Sequence, residues 1–200
     1  MNLWVDLYRA QTAARSLSSG AWSSDLRKRL VALSNEGYCD PSVQGRFTYE
    51  HDGNLVKWSI RDSGKAVPVA LKQIAGLDRA ELSLMALGAR DTHHLHQFTV
   101  MVEGTRPDGS AWTLAVHFED DRTTDKNNDA DRRGTGAGGH AAFHCHVGSG
   151  LDVAPKVRVP LPALGPVEAL EWVLSQLVPT TKFEPAPWPE VQAALKKASP

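Results

Sequence analysis

Cysteine is nearly absent from this 200-residue chain. Cys39 and Cys145 are the only two, too few for a disulfide framework, and a reducing, cytoplasmic compartment is the expectation. Long apolar runs are missing as well: none approaches the ~20 residues that a membrane-spanning helix needs. Met1-Asn2-Leu3-Trp4-Val5-Asp6 does not have the basic-then-apolar layout of a signal peptide. Charge of one sign is also lacking. Twenty-two Lys and Arg against 23 Asp and Glu leave a net charge of −1, so no overall field draws the chain to nucleic acid or to an anionic membrane. Nor is there a metal motif of high specificity such as His-Glu-x-x-His. A composition of 42% hydrophobic and 22% charged residues is that of an ordinary globular protein, and the length suits one domain over residues 1–200.

Histidine, in contrast, is concentrated. Seven of the eight lie between positions 93 and 146, as His93-His94-Leu95-His96, as His117, and as His140 with His144-Cys145-His146. Imidazole is the commonest metal ligand and titrates near neutral pH, so chemistry is expected in this part of the chain.

Apolar periodicity places these residues on elements. Leu3, Leu7, Ala10, Ala14 and Leu17 recur at helical spacing. A second helix is predicted with Ser24 or Asp25 as N-cap, Leu26, Leu30 and Leu33 as its buried stripe, and Gly37 as its stop. From Gln44 the period becomes two. Arg46–Glu50 and Leu55–Ile60 flank His51-Asp52-Gly53-Asn54, a hairpin signal. Val67 to Ile74 reads as a strand, and Glu81 to Leu87 as a short strand or helix. His96–Glu103 and Ala111–Glu119 form a second hairpin around Arg106-Pro107-Asp108-Gly109. Residues 119–140 are polar and glycine-rich, the composition of a flexible loop or lid. A strand at Ala141–Val147, an extended stretch at Pro155–Pro160 and a helix over 166–178 follow, the helix opened by Gly165-Pro166 and ended by Pro179. The tail over 179–200 is proline-rich, with a short helix from Glu190. The expected fold class is α+β, an antiparallel sheet with the N-terminal helices and the 166–178 helix packed on one face.

Strand alternation then sorts the histidines. Aligning the apolar faces of the second hairpin pairs 102 with 114, 100 with 116 and 98 with 118. This register sets His96 opposite Asp120 and His94 near Arg122, while His117 points to the opposite face beside Thr99 and is left outside the candidate site. On the next strand Phe143, Cys145 and Val147 share one side, and His144 and His146 share the other, about 7 Å apart at the backbone. His144, His146, His140 and a contribution from His94, His96 or Asp120 would supply enough donors for zinc, and in a hydrolase Asp120 or Glu119 would serve as base. Cys145, on the apolar side, reads as an inert hydrophobe. Arg132 and Arg133 before the glycine run, with Lys156 and Arg158 on the extended stretch, are candidate contacts to an anion or a partner.

The pattern His140-x3-His144-x-His146-x-Gly148, followed by a charged proline-containing stretch and an apolar helix, resembles uncharacterised bacterial domains associated with mobile-element and anti-phage defence gene clusters. The resemblance covers residues 140–180 and implies a bacterial conflict-system context without supplying catalytic residues. The helix–meander–helix order is similar to ubiquitin-conjugating enzymes, but their His-Pro-Asn approach to the catalytic cysteine is absent before Cys145. Three functions follow as expectations: a protein-partner component of a defence or toxin-type system, acting through the histidine face and the 119–140 loop; a zinc or manganese hydrolase built on His144, His146 and His96; and a nucleic-acid-binding accessory protein using Arg132, Arg133, Lys156 and Arg158.

Overall fold

Apolar residues at every second position from Phe47 onward build a nine-stranded antiparallel sheet in a computed structural model of the chain. The structure describes residues 21–90, 95–119, 143–150, 158–161 and 164–177. Its strands are β1 (Phe47–Asp52), β2 (Leu55–Asp62), β3 (Lys65–Ala66), β4 (Val69–Leu71), β5 (Arg79–Ala89), β6 (Leu95–Thr105), β7 (Ala111–Glu119), β8 (Phe143–Gly148) and β9 (Arg158–Pro160). Their order across the sheet is β1-β2-β5-β6-β7-β8-β9, with β3 pairing with β2 and β4 with β5. Among the described residues three helices accompany them: α1 (Ala21–Asn35), the single turn α2 (Val43–Arg46) and α3 (Pro166–Ser175). The α+β class expected from the sequence is the one observed.

Helix α1 ends where its glycine dictates. Gly37 takes a φ of +83°, the Tyr38 N–H reaches back to the Leu33 carbonyl, and the Gly37 N–H reaches the Ser34 carbonyl, closing a Schellman cap. Its start differs from expectation. The helix is already formed at Ala21, the first described residue, so neither Ser24 nor Asp25 is its N-cap, and this turn carries Trp22 edge-on against Trp58, with ring centroids 5.9 Å apart.

The strands also refine the reading. Asp52 pairs with Leu55, so the first turn is only Gly53-Asn54. Of the stretch Val67 to Ile74, only Val69–Leu71 is strand: Pro68 has no N–H to offer a ladder, and Gln73 turns the chain with a φ of +60°. Glu81 to Leu87 lies wholly inside β5, an 11-residue strand. The second hairpin has the expected register, Val102 with Leu114, Val100 with Val116 and Phe98 with Phe118, and Gly109 closes its turn at a φ of +82°. The stripe from Leu3 to Leu17, the 119–140 loop beyond Glu119 and the 179–200 tail lie outside the described residues.

One face of the sheet carries the core. Leu26, Leu30 and Leu33 of α1 and Ala169, Leu170, Val173 and Leu174 of α3 pack with Leu82, Phe98, Val100, Leu114, Val116, Phe118, Phe143 and Cys145. Phe118 stacks on Phe143 with centroids 4.4 Å apart and meets Phe98 at 5.7 Å. An ion pair of 2.7 Å between Arg29 and Glu171 joins α1 to α3. Val147 continues the apolar side of β8 but is 40% exposed, so the core ends there. Among the described residues, no helix is long and apolar enough to cross a membrane.

Phe118→Ala is expected to cost about 3–5 kcal/mol, the usual loss for a phenylalanine in a packed core. Val147→Ala should cost less than about 1 kcal/mol at its exposed position. Urea denaturation of both variants measures the contrast.

Candidate functional site

Residues paired across an antiparallel ladder point to the same side, so the registers show what lies opposite the core. Ser59 pairs with Met85, Met85 with Thr99, Thr99 with His117, and His117 with His144. The adjoining row runs Ser83, Met101, Ala115, His146. Helices α1 and α3 occupy the other face, and no described helix packs on this one.

Three imidazoles meet on it. The Nε2 atoms of His144 and His146 are 3.0 Å apart. His117 lies edge-on to His146 at 4.9 Å between centroids and roughly parallel to His144 at 5.6 Å. His117 is held in turn by Thr99, whose Oγ1 is 3.0 Å from its Nδ1. All three rings are half-buried. A hydrogen bond between two Nε2 atoms requires one proton between them. One ring therefore donates from Nε2, and the other accepts there and, when neutral, carries its proton on Nδ1. If both rings bore a proton on Nε2, two N–H groups would face each other and the contact would break.

The expected His144–His146 pair thus forms, and it is joined by His117, which the sequence reading left out. The missing step was the pairing of β7 with β8. Aligning Val116 and Phe118 with Cys145 and Phe143 would have set His117 directly across from His144. His96 is not brought to the pair. It stands on β6 at a register shift opposite Leu87 and Gly88, with β7 between it and β8 and three residues along from the Thr99–His117–His144 row. The separation is roughly 10 Å both across and along the sheet. His94, His140, Asp120, Arg132, Arg133 and Lys156 lie outside the described residues, as do the side chains of Glu119 and Arg158. Among the described residues, no group of three or more His, Cys, Asp or Glu side chains is placed to hold a metal ion.

No family model, curated protein or solved structure matches the chain. Its chemistry has to be read from the residues themselves.

Two cavities accompany these groups. One of about 350 Å³ opens on the histidine face between β2 and β7, reaching from Ser59 past Met85 and Met101 to Thr99 and His117. The other, about 250 Å³, lies among Trp22, Tyr49, His51, Trp58 and Arg90. There Tyr49 packs on Trp58 at 4.7 Å and His51 lies edge-on to Tyr49 at 5.2 Å. Cys145 sits on the core side, 2% exposed, and burial raises its thiol pKa. Cys39, also 2% exposed, is pushed up from 9.0 to about 11, chiefly by burial and secondarily by Asp40. Both are inert thiols, as expected for Cys145.

Two outcomes follow. Long-range ¹H–¹⁵N spectra of the imidazoles near pH 8 should show His144 and His146 as opposite tautomers, one protonated at Nε2 and one at Nδ1; identical tautomers would contradict the contact. For Cys39, the folded state favours the neutral thiol, so the unfolded chain ionises first. Its contribution to stability is complete below pH 9 and is lost as pH rises towards about 11. Denaturation midpoints should fall over that window, and fall less in Cys39→Ala.

Proposed function

We propose that this chain is a binding component whose working surface is the histidine face of the sheet, in the setting of a bacterial defence or toxin-type system. The observation that carries this reading is the distribution of charge. Among the described residues, the middle of the face, from Ser83 and Met85 through Thr99, Met101 and Ala115 to His117, His144 and His146, holds no carboxylate and no permanent cation. Lys57, Glu81 and Glu103 stand around it, as their ladder positions place them. An antiparallel sheet that keeps one face in water normally alternates apolar with charged residues. A neutral, methionine-containing centre ringed by charge is the layout of a protein interface, whose core is depleted of charge. The imidazoles would give such a surface hydrogen-bonding groups that respond to pH near neutrality.

The test compares affinity-tagged wild-type chain with a Met101→Lys/His144→Ala variant of unchanged melting temperature. A stoichiometric partner recovered with the wild type and lost from the variant is expected. The same partner at the same yield on both would remove the reading.

A metal-centred function is the second reading, and the 3.0 Å separation of the His144 and His146 nitrogens favours it. Bonds of about 2.1 Å from both to one ion would subtend an angle near 90°, which suits octahedral coordination better than the tetrahedron of zinc. The pair supplies two donors, and the remainder would come from His117 after a ring turn or from water. Titration with Co²⁺ or Ni²⁺, followed by imidazole NMR, should then show one saturable site that His144→Ala abolishes. No saturable binding by the wild type ends this reading.

A further inference from the structure

The cavity beside His117 has features that the binding surface does not explain. Its floor and walls are Met85, Met101, Val67 and Pro68, with Ser59 at one end and His117 at the other. Ser59 is 1% exposed, and its hydroxyl has no hydrogen-bond partner among the described residues. A buried hydroxyl left without a partner is destabilising, and such groups are rare in native proteins. Here the hydroxyl belongs to the strand side that lines the cavity, beside Met85 on the neighbouring strand. Among the described residues, the ionisable groups along the wall are Lys57 and His117 and no carboxylate lines it; Glu50 stands opposite Lys57 on β1. A volume of about 350 Å³ falls within the range of small-molecule sites, roughly 300–1,000 Å³.

We propose that this cavity is a binding site for a small amphipathic anion, a molecule with an apolar body and one carboxylate-like head group. The body lies on Met85, Met101, Val67 and Pro68. The head group accepts a hydrogen bond from the Ser59 hydroxyl and faces the Lys57 ammonium. Cation and hydroxyl lie close together, since Lys57 and Ser59 are i and i+2 on β2 and point to one side. His117, tied to Thr99 at the far end, closes the apolar tunnel toward β8. The proposal does not depend on the partner reading: a ligand would fill the cavity whether or not the face also docks a protein.

Methionine makes the test selective. The chain contains three methionines, Met1, Met85 and Met101, and two of them, Met85 and Met101, line the cavity and report on it in a ¹³C-methyl-methionine spectrum of the full chain. Decanoate is the probe and decanol the uncharged control. Saturable shifts of the Met85 and Met101 methyls with decanoate are expected, with decanol binding at least about tenfold more weakly. Ser59→Ala should weaken decanoate about tenfold, the effect of one hydrogen bond to a charged group. The same substitution should leave the free protein as stable or more stable, because it removes an unpaired buried hydroxyl. Lys57→Met should weaken decanoate while sparing decanol. The proposal is overturned if the cavity methyls do not shift with decanoate, if decanol binds equally well, or if both variants bind decanoate like the wild type.

Discussion

The stacking of Phe118 on Phe143 is the contact on which the arrangement of the sheet turns. These rings lie on β7 and β8, strands that no short turn connects, and they align the two strands so that their apolar sides face α1 and α3 together. Once that side is set, the period of two leaves no freedom on the other. His117 must stand across from His144 and Ala115 across from His146. A slip of one residue between β7 and β8 would carry Phe143 out of the core and His144 and His146 into it. The histidine site is thus a consequence of core packing on the far side of one strand's thickness.

Much of this architecture can be read from the residues. The register of the β6–β7 hairpin follows from alternating Phe98, Val100 and Val102 against Leu114, Val116 and Phe118, with Pro107 and Gly109 shaping the turn. The shared side of His144 and His146 follows from alternation alone, and the end of α1 from Gly37. His117 escaped because its placement needs a pairing between strands separated by more than twenty residues, where no turn chemistry announces the partner. His96 stands away from the pair for a different reason: β7 lies between β6 and β8, and His96 is three residues along from the Thr99–His117–His144 row, an order of strands that alternation alone does not reveal. Glu81 to Leu87 was ambiguous because its leucines fit helical and strand spacing equally, and only its neighbours in the sheet decide between the two.

Polarity is divided unevenly over the two faces. The core side holds the inert thiols and the aromatic stack. The opposite side holds hydroxyls, thioethers and imidazoles in its middle, with formal charges displaced to its margins. Groups of this kind hydrogen-bond without carrying a permanent charge.

Strand β9 gives the histidine strand an unequal pair of neighbours. On its inner side β8 is paired over six residues with β7, and on its outer side over only three with β9, where Pro160 stands opposite His144. Proline brings no N–H to an edge, which discourages end-to-end polymerisation of the sheet through this border. The short outer ladder should also open before the six-residue ladder between β7 and β8. Hydrogen exchange of the β8 amides would then be governed by fraying of β9, and the outer edge would exchange well before the strands beneath the helices.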